Sequence, residues 1–181
     1  MNKRSLLFLI LGLSIITAVI ARLVDHPMNF APIGAVAVLS GYYLRSRVGW
    51  AIPLLAMLVS DAIIGFYHVE VLLSVYASYV IMWGLGRLAF AGKTRWNMAP
   101  AALLGSSVHF LLTNFAVWAF TPLYQKTAAG LMMSYTMAIP FFQWTVLGDL
   151  FYTTIFIVII ESARFLADRK ALGYEPERLH Q

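Results

Sequence analysis

The chain has 181 residues, 61% of them hydrophobic and 12% charged, a mean hydropathy of +0.78, a formal net charge of +5 and no cysteine. Soluble domains carry about 25% charged residues, so half that fraction leaves too little polar surface for a water-soluble fold and excludes a large soluble catalytic domain. The missing cysteines exclude disulfides, thiolate metal sites, iron–sulfur clusters and cysteine nucleophiles.

The length fits one domain, and at about 20 residues per crossing it accommodates an all-α bundle of six transmembrane helices. The first apolar run covers about residues 5–21, with Lys3 and Arg4 before it and Arg22 after it. Its basic start and the Val19/Ala21 pair resemble a signal peptide, but the run is long enough to span, and a retained helix is expected. The second run, 33–44, reaches only about 18 Å at 1.5 Å per residue, against a hydrocarbon core near 30 Å. The stretch from Asp25 to Pro32 must supply the remaining depth, and its two prolines interrupt helical hydrogen bonding. Irregular backbone at membrane depth is tolerated where protein or a water-filled cavity satisfies it, which makes this stretch a candidate site lining. Helices three, four and five are expected over 48–65, 71–90 and 98–121. From Thr127 to Leu166 the chain is too long for one crossing, so a break at Pro140 is expected, with an interfacial helix over 127–139 and helix six over 140–166. A polar tail follows from Asp168.

Assigning loops to alternate sides puts eleven of the thirteen basic residues on one side, with only Arg22 and Lys126 on the other. The positive-inside rule then places both termini in the cytoplasm. It also explains the net charge without a nucleic-acid partner.

That topology puts Asp61, His109, Asn114 and its i+4 neighbour Trp118, Gln143 and Asp149 in the middle or outer half of their spans. An ionised Asp at mid-membrane costs about 2.5–3.5 kcal/mol, and no lysine or arginine is expected at the depth of Asp61 or Asp149. Each must then bond to neutral groups, a helix N-terminus or a ligand. Either carboxylate reads as a bundle lock or as a site group, and the alternative stays open for His109 and Asn114. His26, His68 and His109 with Asp25, Asp61 and Glu70 allow a metal site in principle, but no ligand-spacing motif supports it. No hydrolase pattern occurs. Phe141, Phe142 and Trp144 beside Gln143, and Trp118 near Asn114, suit either an interfacial belt or a pocket for a flat molecule.

The stretch from His26 to Ala35 (His-Pro-Met-Asn-Phe-Ala-Pro-Ile-Gly-Ala), Ser60-Asp61-x-x-x-Gly65, Thr113-Asn114-x-x-x-Trp118, Ile139-Pro140-Phe141-Phe142 and Leu147-Gly148-Asp149 resemble an uncharacterised family of bacterial six-helix membrane proteins. That family is similar to the substrate-binding S components of energy-coupling factor transporters. The resemblance implies a bundle in the bacterial cytoplasmic membrane with a vitamin-sized pocket open to the outside, driven by a partner ATPase module. S components that dock on that module usually show Ala-x-x-x-Ala on helix one. Here the nearest pairs are Ser14-x-x-x-Ala18 and Thr17-x-x-x-Ala21. The combined expectation is a non-enzymatic uptake protein for a small organic molecule, a vitamin or cofactor precursor, with no cofactor of its own. Asp25, His26, Asn29, Asp61, His109, Asn114, Trp118, Gln143 and Asp149 would bind the ligand. The first turn of helix two would offer free N–H groups to any anionic part of it. The alternatives are a structural or assembly protein, in which the same polar groups only hold helices together, and divalent metal uptake.

Overall fold

The computed structural model describes residues 3–24, 29–44, 48–92 and 94–171. Asp25 and His26 lie outside the described residues, as does the tail from 172 onward. The fold is all-α. Six helices run α1 Lys3–Leu23, α2 Ile33–Leu44, α3 Ala51–Ile64, α4 Val69–Ala91, α5 Met98–Phe120 and α6 Ala128–Ala171, with a short 3₁₀ turn at Arg95–Asn97. The regions Val69–Ala91, Arg95–Phe120 and Ala128–Arg169 are long and apolar enough to cross a membrane.

Helix α2 organises the bundle. It is apolar on every side, and such a helix is stable only when buried all round. Ten of its residues, including the run Ile33–Gly41, are buried, and it packs against each of the other five helices. Those five close around it in the order α1, α3, α4, α5, α6 and back to α1. Small residues set the closest approach. A Cβ on Gly41 would stand 2.1 Å from the Trp83 carbonyl oxygen, and one on Gly86 would stand 2.1 Å from that of Val38. Helices α2 and α4 therefore meet backbone to backbone, as small residues permit in apolar bundles. On α4 the inward positions are Ser78, Met82, Gly86 and Ala89.

The outward faces are apolar as well. On α1, Leu9, Leu13, Ile16 and Ile20 are exposed, whereas Ser14 and Ala18 are buried. The Ser14/Ala18 pair thus packs inside this chain, and its spacing marks the inner face of α1.

Pro140 does not break the last helix. α6 is one 44-residue helix with Pro140 inside it, about 66 Å long at 1.5 Å per residue. The expected interfacial helix over 127–139 is its first three turns. A proline removes one backbone hydrogen bond, and the helix contacts α5 on both sides of it. Ser134 Oγ donates to the Asn114 carbonyl at 2.9 Å and the Tyr135 hydroxyl to that of Leu111 at 3.0 Å. Beyond the proline, the rings of Phe142 and Phe110 stack at 4.6 Å. The helix also continues through Asp168 to Ala171, so the start of the expected tail is helical.

Candidate functional site

A cavity of about 340 Å³ lies at the end of the bundle where α1 and α3 finish and α2 and α4 begin. Its polar lining comes from Arg22, Asn29, Tyr67, Tyr79, His109, Thr145 and Asp149, and apolar wall is supplied by Ile33, Met57, Ile64 and Val75. Few converging polar groups in a mostly apolar concavity of a few hundred Å³ are what a small-molecule site needs.

Asp61 is 1% exposed and sits behind this lining. Its Oδ1 accepts a hydrogen bond from Arg22 Nη2 at 2.7 Å, and its Oδ2 accepts one from the Tyr76 hydroxyl at 3.0 Å. The other guanidinium arm of Arg22 points at Met57 Sδ. The expectation that no cation reaches Asp61 is therefore corrected. Arg22 lies at the end of α1, Asp61 one turn from the end of α3, and the long arginine stem carries its head inward from the helix end. Asp61 thus acts on the cavity through Arg22, which it holds in place. The backbone there serves helix termination, since Gly65 closes α3 at φ 113°, with its N–H bonded to the Asp61 carbonyl. Next to this pair, burial and then the Asp61 carboxylate push the Tyr67 phenol in the α3–α4 loop up to about 12. It therefore remains a neutral hydroxyl at neutral pH.

Asp149, 3% exposed, is satisfied differently. The Ser106 hydroxyl on α5 donates to Oδ2 at 2.6 Å, and the Ala35 backbone N–H bonds the same carboxylate. Ala35 lies in the first turn of α2, where N–H groups lack intrahelical partners and the helix dipole favours a negative charge. Gly34 makes this approach possible, because a Cβ there would stand 2.1 Å from Asp149 Oδ1. The helix N-terminus expected to face a ligand anion is therefore capped by the chain's own carboxylate. Gly148 completes the fit, with Phe30 Cα 3.2 Å from where its Cβ would be.

His109 Nδ1 lies 2.7 Å from Ser78 Oγ, whose own proton has the Val75 carbonyl in reach at 2.6 Å. A hydroxyl has one proton to give. With it on Val75, Ser78 accepts from the imidazole, so a neutral His109 carries its proton on Nδ1 and keeps Nε2 as an acceptor. Tyr79 flanks the imidazole at 5.2 Å.

The remaining predicted residues divide. Asn29 lines the cavity and takes a positive φ of 69°, a conformation asparagine tolerates better than most residues. Asn114 lines a smaller side chamber of about 120 Å³ with Phe110, Phe141 and Phe142; Asn29 and Thr145 border both spaces. Trp118 and Gln143 line neither space. Trp118 Nε1 donates to the Gln125 carbonyl at 2.9 Å and so fastens the α5–α6 connection, while Gln143 is exposed on α6. Among the described residues no three His, Asp or Glu side chains gather as a metal site would require. Arg22, Tyr76, Tyr79, Ser78, Ser106 and Thr145 were not foreseen.

Residues 2–171 match a family of unknown function, DUF6580. The chain belongs to this family. No curated protein and no solved structure matches it. The six helices and the cavity at one end of them are therefore structural features of a DUF6580 member.

Proposed function

We propose that this protein is a non-enzymatic membrane uptake protein that captures a small organic molecule, a vitamin or cofactor precursor, in the cavity beside Arg22, His109 and Asp149. In this reading all six helices lie in a bacterial cytoplasmic membrane, both termini are cytoplasmic and the cavity opens outward, in the manner of the S components that the sequence resembles. The observation that carries it is the convergence of a cation, an imidazole and a carboxylate from α1, α5 and α6 on one cavity of about 340 Å³. The aromatic side chamber suits a flat extension of the ligand. Energy coupling would come from a partner, and the face of α1 open to one carries Leu9, Leu13, Ile16 and Ile20.

One observation favours the structural alternative: Asp61 and Asp149 both find partners within the chain. Thermal unfolding of the detergent-purified protein against a panel of vitamins and cofactor precursors separates the two. A ligand at 100 times its Kd adds about 2.7 kcal/mol. Uptake predicts that one compound raises the melting temperature of wild type but not of His109→Leu. A flat response to every compound, with His109→Leu merely less stable, favours the structural role.

A further inference from the structure

The opposite end of the bundle holds a second cavity, of about 470 Å³, bordered by the last turn of α2, the end of α4, the 3₁₀ turn and the later part of α6. Its lining contains two guanidinium groups, Arg95 and Arg164, and one carboxylate, Glu161. Glu161 Oε2 accepts from Arg95 Nη1 at 2.9 Å, and Oε1 accepts from the Tyr43 hydroxyl at 2.9 Å and from Arg164 Nη1 at 3.4 Å. Each arginine thus reaches Glu161 through a single nitrogen of a group with five N–H donors. The lining side chains retain one net positive charge. Arg164 is also held over the Tyr43 ring at 4.7 Å, which fixes one cation beside the cavity while Arg95 stays half exposed.

The surroundings distinguish this place from a site for a soluble anion. Trp96, in the cavity wall, is 82% exposed, and Phe90, Leu88, Phe165 and Leu166 expose apolar surface at the same end of the bundle. Tryptophan at a bundle end is a membrane-interface residue. Basic pockets between helices near a leaflet surface attract anionic head groups.

We propose that this cavity binds the phosphodiester head group of an acidic phospholipid. Arg95 and Arg164 bracket the phosphate, which arginine forks recognise bidentately, while Trp96 and Phe90 flank the glycerol and the first acyl carbons. Glu161 holds the two guanidinium groups in register and competes with the lipid for them. The site lies at the far end of the molecule from the candidate uptake cavity, and it stands or falls separately from that reading.

The test is native mass spectrometry of the full-length protein titrated in detergent with phosphatidylglycerol, phosphatidylcholine or glycerol phosphate. Phosphatidylglycerol is expected to bind at least about tenfold more tightly than the other two probes. The Arg95→Gln/Arg164→Gln double variant removes that preference, and Arg169→Gln, at the same end but outside the cavity, preserves it. Glu161→Gln binds phosphatidylglycerol more tightly than wild type, a gain that misfolding cannot produce. Equal losses in Arg169→Gln and the double variant, glycerol phosphate binding as tightly as the lipid, or no gain in Glu161→Gln would each overturn the proposal.

Discussion

Asp61 and Asp149 bring the same side chain to the same end of the bundle, at 1% and 3% exposure, and meet different partners there. Asp61 is matched by a full cation, with Tyr76 on its second oxygen. Asp149 is met, among the described residues, by neutral donors: a serine hydroxyl and the first turn of α2. The difference lies in what each leaves over. The Arg22–Asp61 pair cancels its own charge and presents a fixed guanidinium edge to the cavity. Asp149 draws on a helix dipole, worth about 0.3–2 kcal/mol, and is itself part of the cavity wall.

Substitutions at the two positions should therefore diverge. The largest effect is expected from Arg22→Ala, which leaves the Asp61 charge buried without its cation. Breaking a buried pair from one side costs about 3–5 kcal/mol, readable as a lowered unfolding midpoint in detergent. Arg22→Met/Asp61→Asn should recover most of that loss, because both charges are then gone. A loss near zero for Arg22→Ala would remove the distinction between the two carboxylates.

Gly34→Ala comes next. Its Cβ meets Asp149 Oδ1 and Met82 Cε, so either the carboxylate leaves the α2 terminus or the helices shift, at about 1–3 kcal/mol as overpacking usually costs. Asp149→Asn should cost about 1–2 kcal/mol: the amide can keep the Ala35 N–H and donate to a Ser106 hydroxyl whose proton turns to the Ala102 carbonyl at 2.9 Å, but the negative charge that the α2 terminus favours is lost. The same change at Asp61 should cost more, since it also strands Arg22; if the two asparagine variants were equal, the partners would not matter. The smallest effect is Tyr76→Phe, about 1.5 kcal/mol, the low end for a hydrogen bond to a charged group, because Asp61 keeps its main partner.

Much of this arrangement is legible in the sequence, and the parts that are not have physical causes. Pro32 before α2 and the basic residues after it mark the short helix, while its central position emerges only from its packing against all five other helices. The cavity lining at His109 and Asp149 is visible because polar side chains stand out in apolar helices, and that at Asn29 because it lies in the proline-flanked stretch before α2. Arg22 is not, because a charge at a helix end also reads as a topology signal, and only the structure shows its stem turned toward α3. Ser78 and Ser106 are inconspicuous among other small residues until the inward stripe on α4 and the facing stretch of α5 are seen. Trp118 and Gln143 mislead for the converse reason. Their depth along the helix is readable from sequence, but the direction in which they point depends on packing. Pro140 misleads because its local cost is visible in the chain while the contacts that α6 makes with α5 on both sides of it are not.

The cavity beside Arg22, His109 and Asp149 is expected to hold a small molecule. Native mass spectrometry of protein purified gently from its membrane, wild type beside Val75→Trp, tests it most directly, since a tryptophan at Val75 would fill the cavity that this residue lines. A discrete small-molecule mass is expected on wild type and not on a folded Val75→Trp. No bound mass on wild type, or the same mass on both proteins, would contradict it.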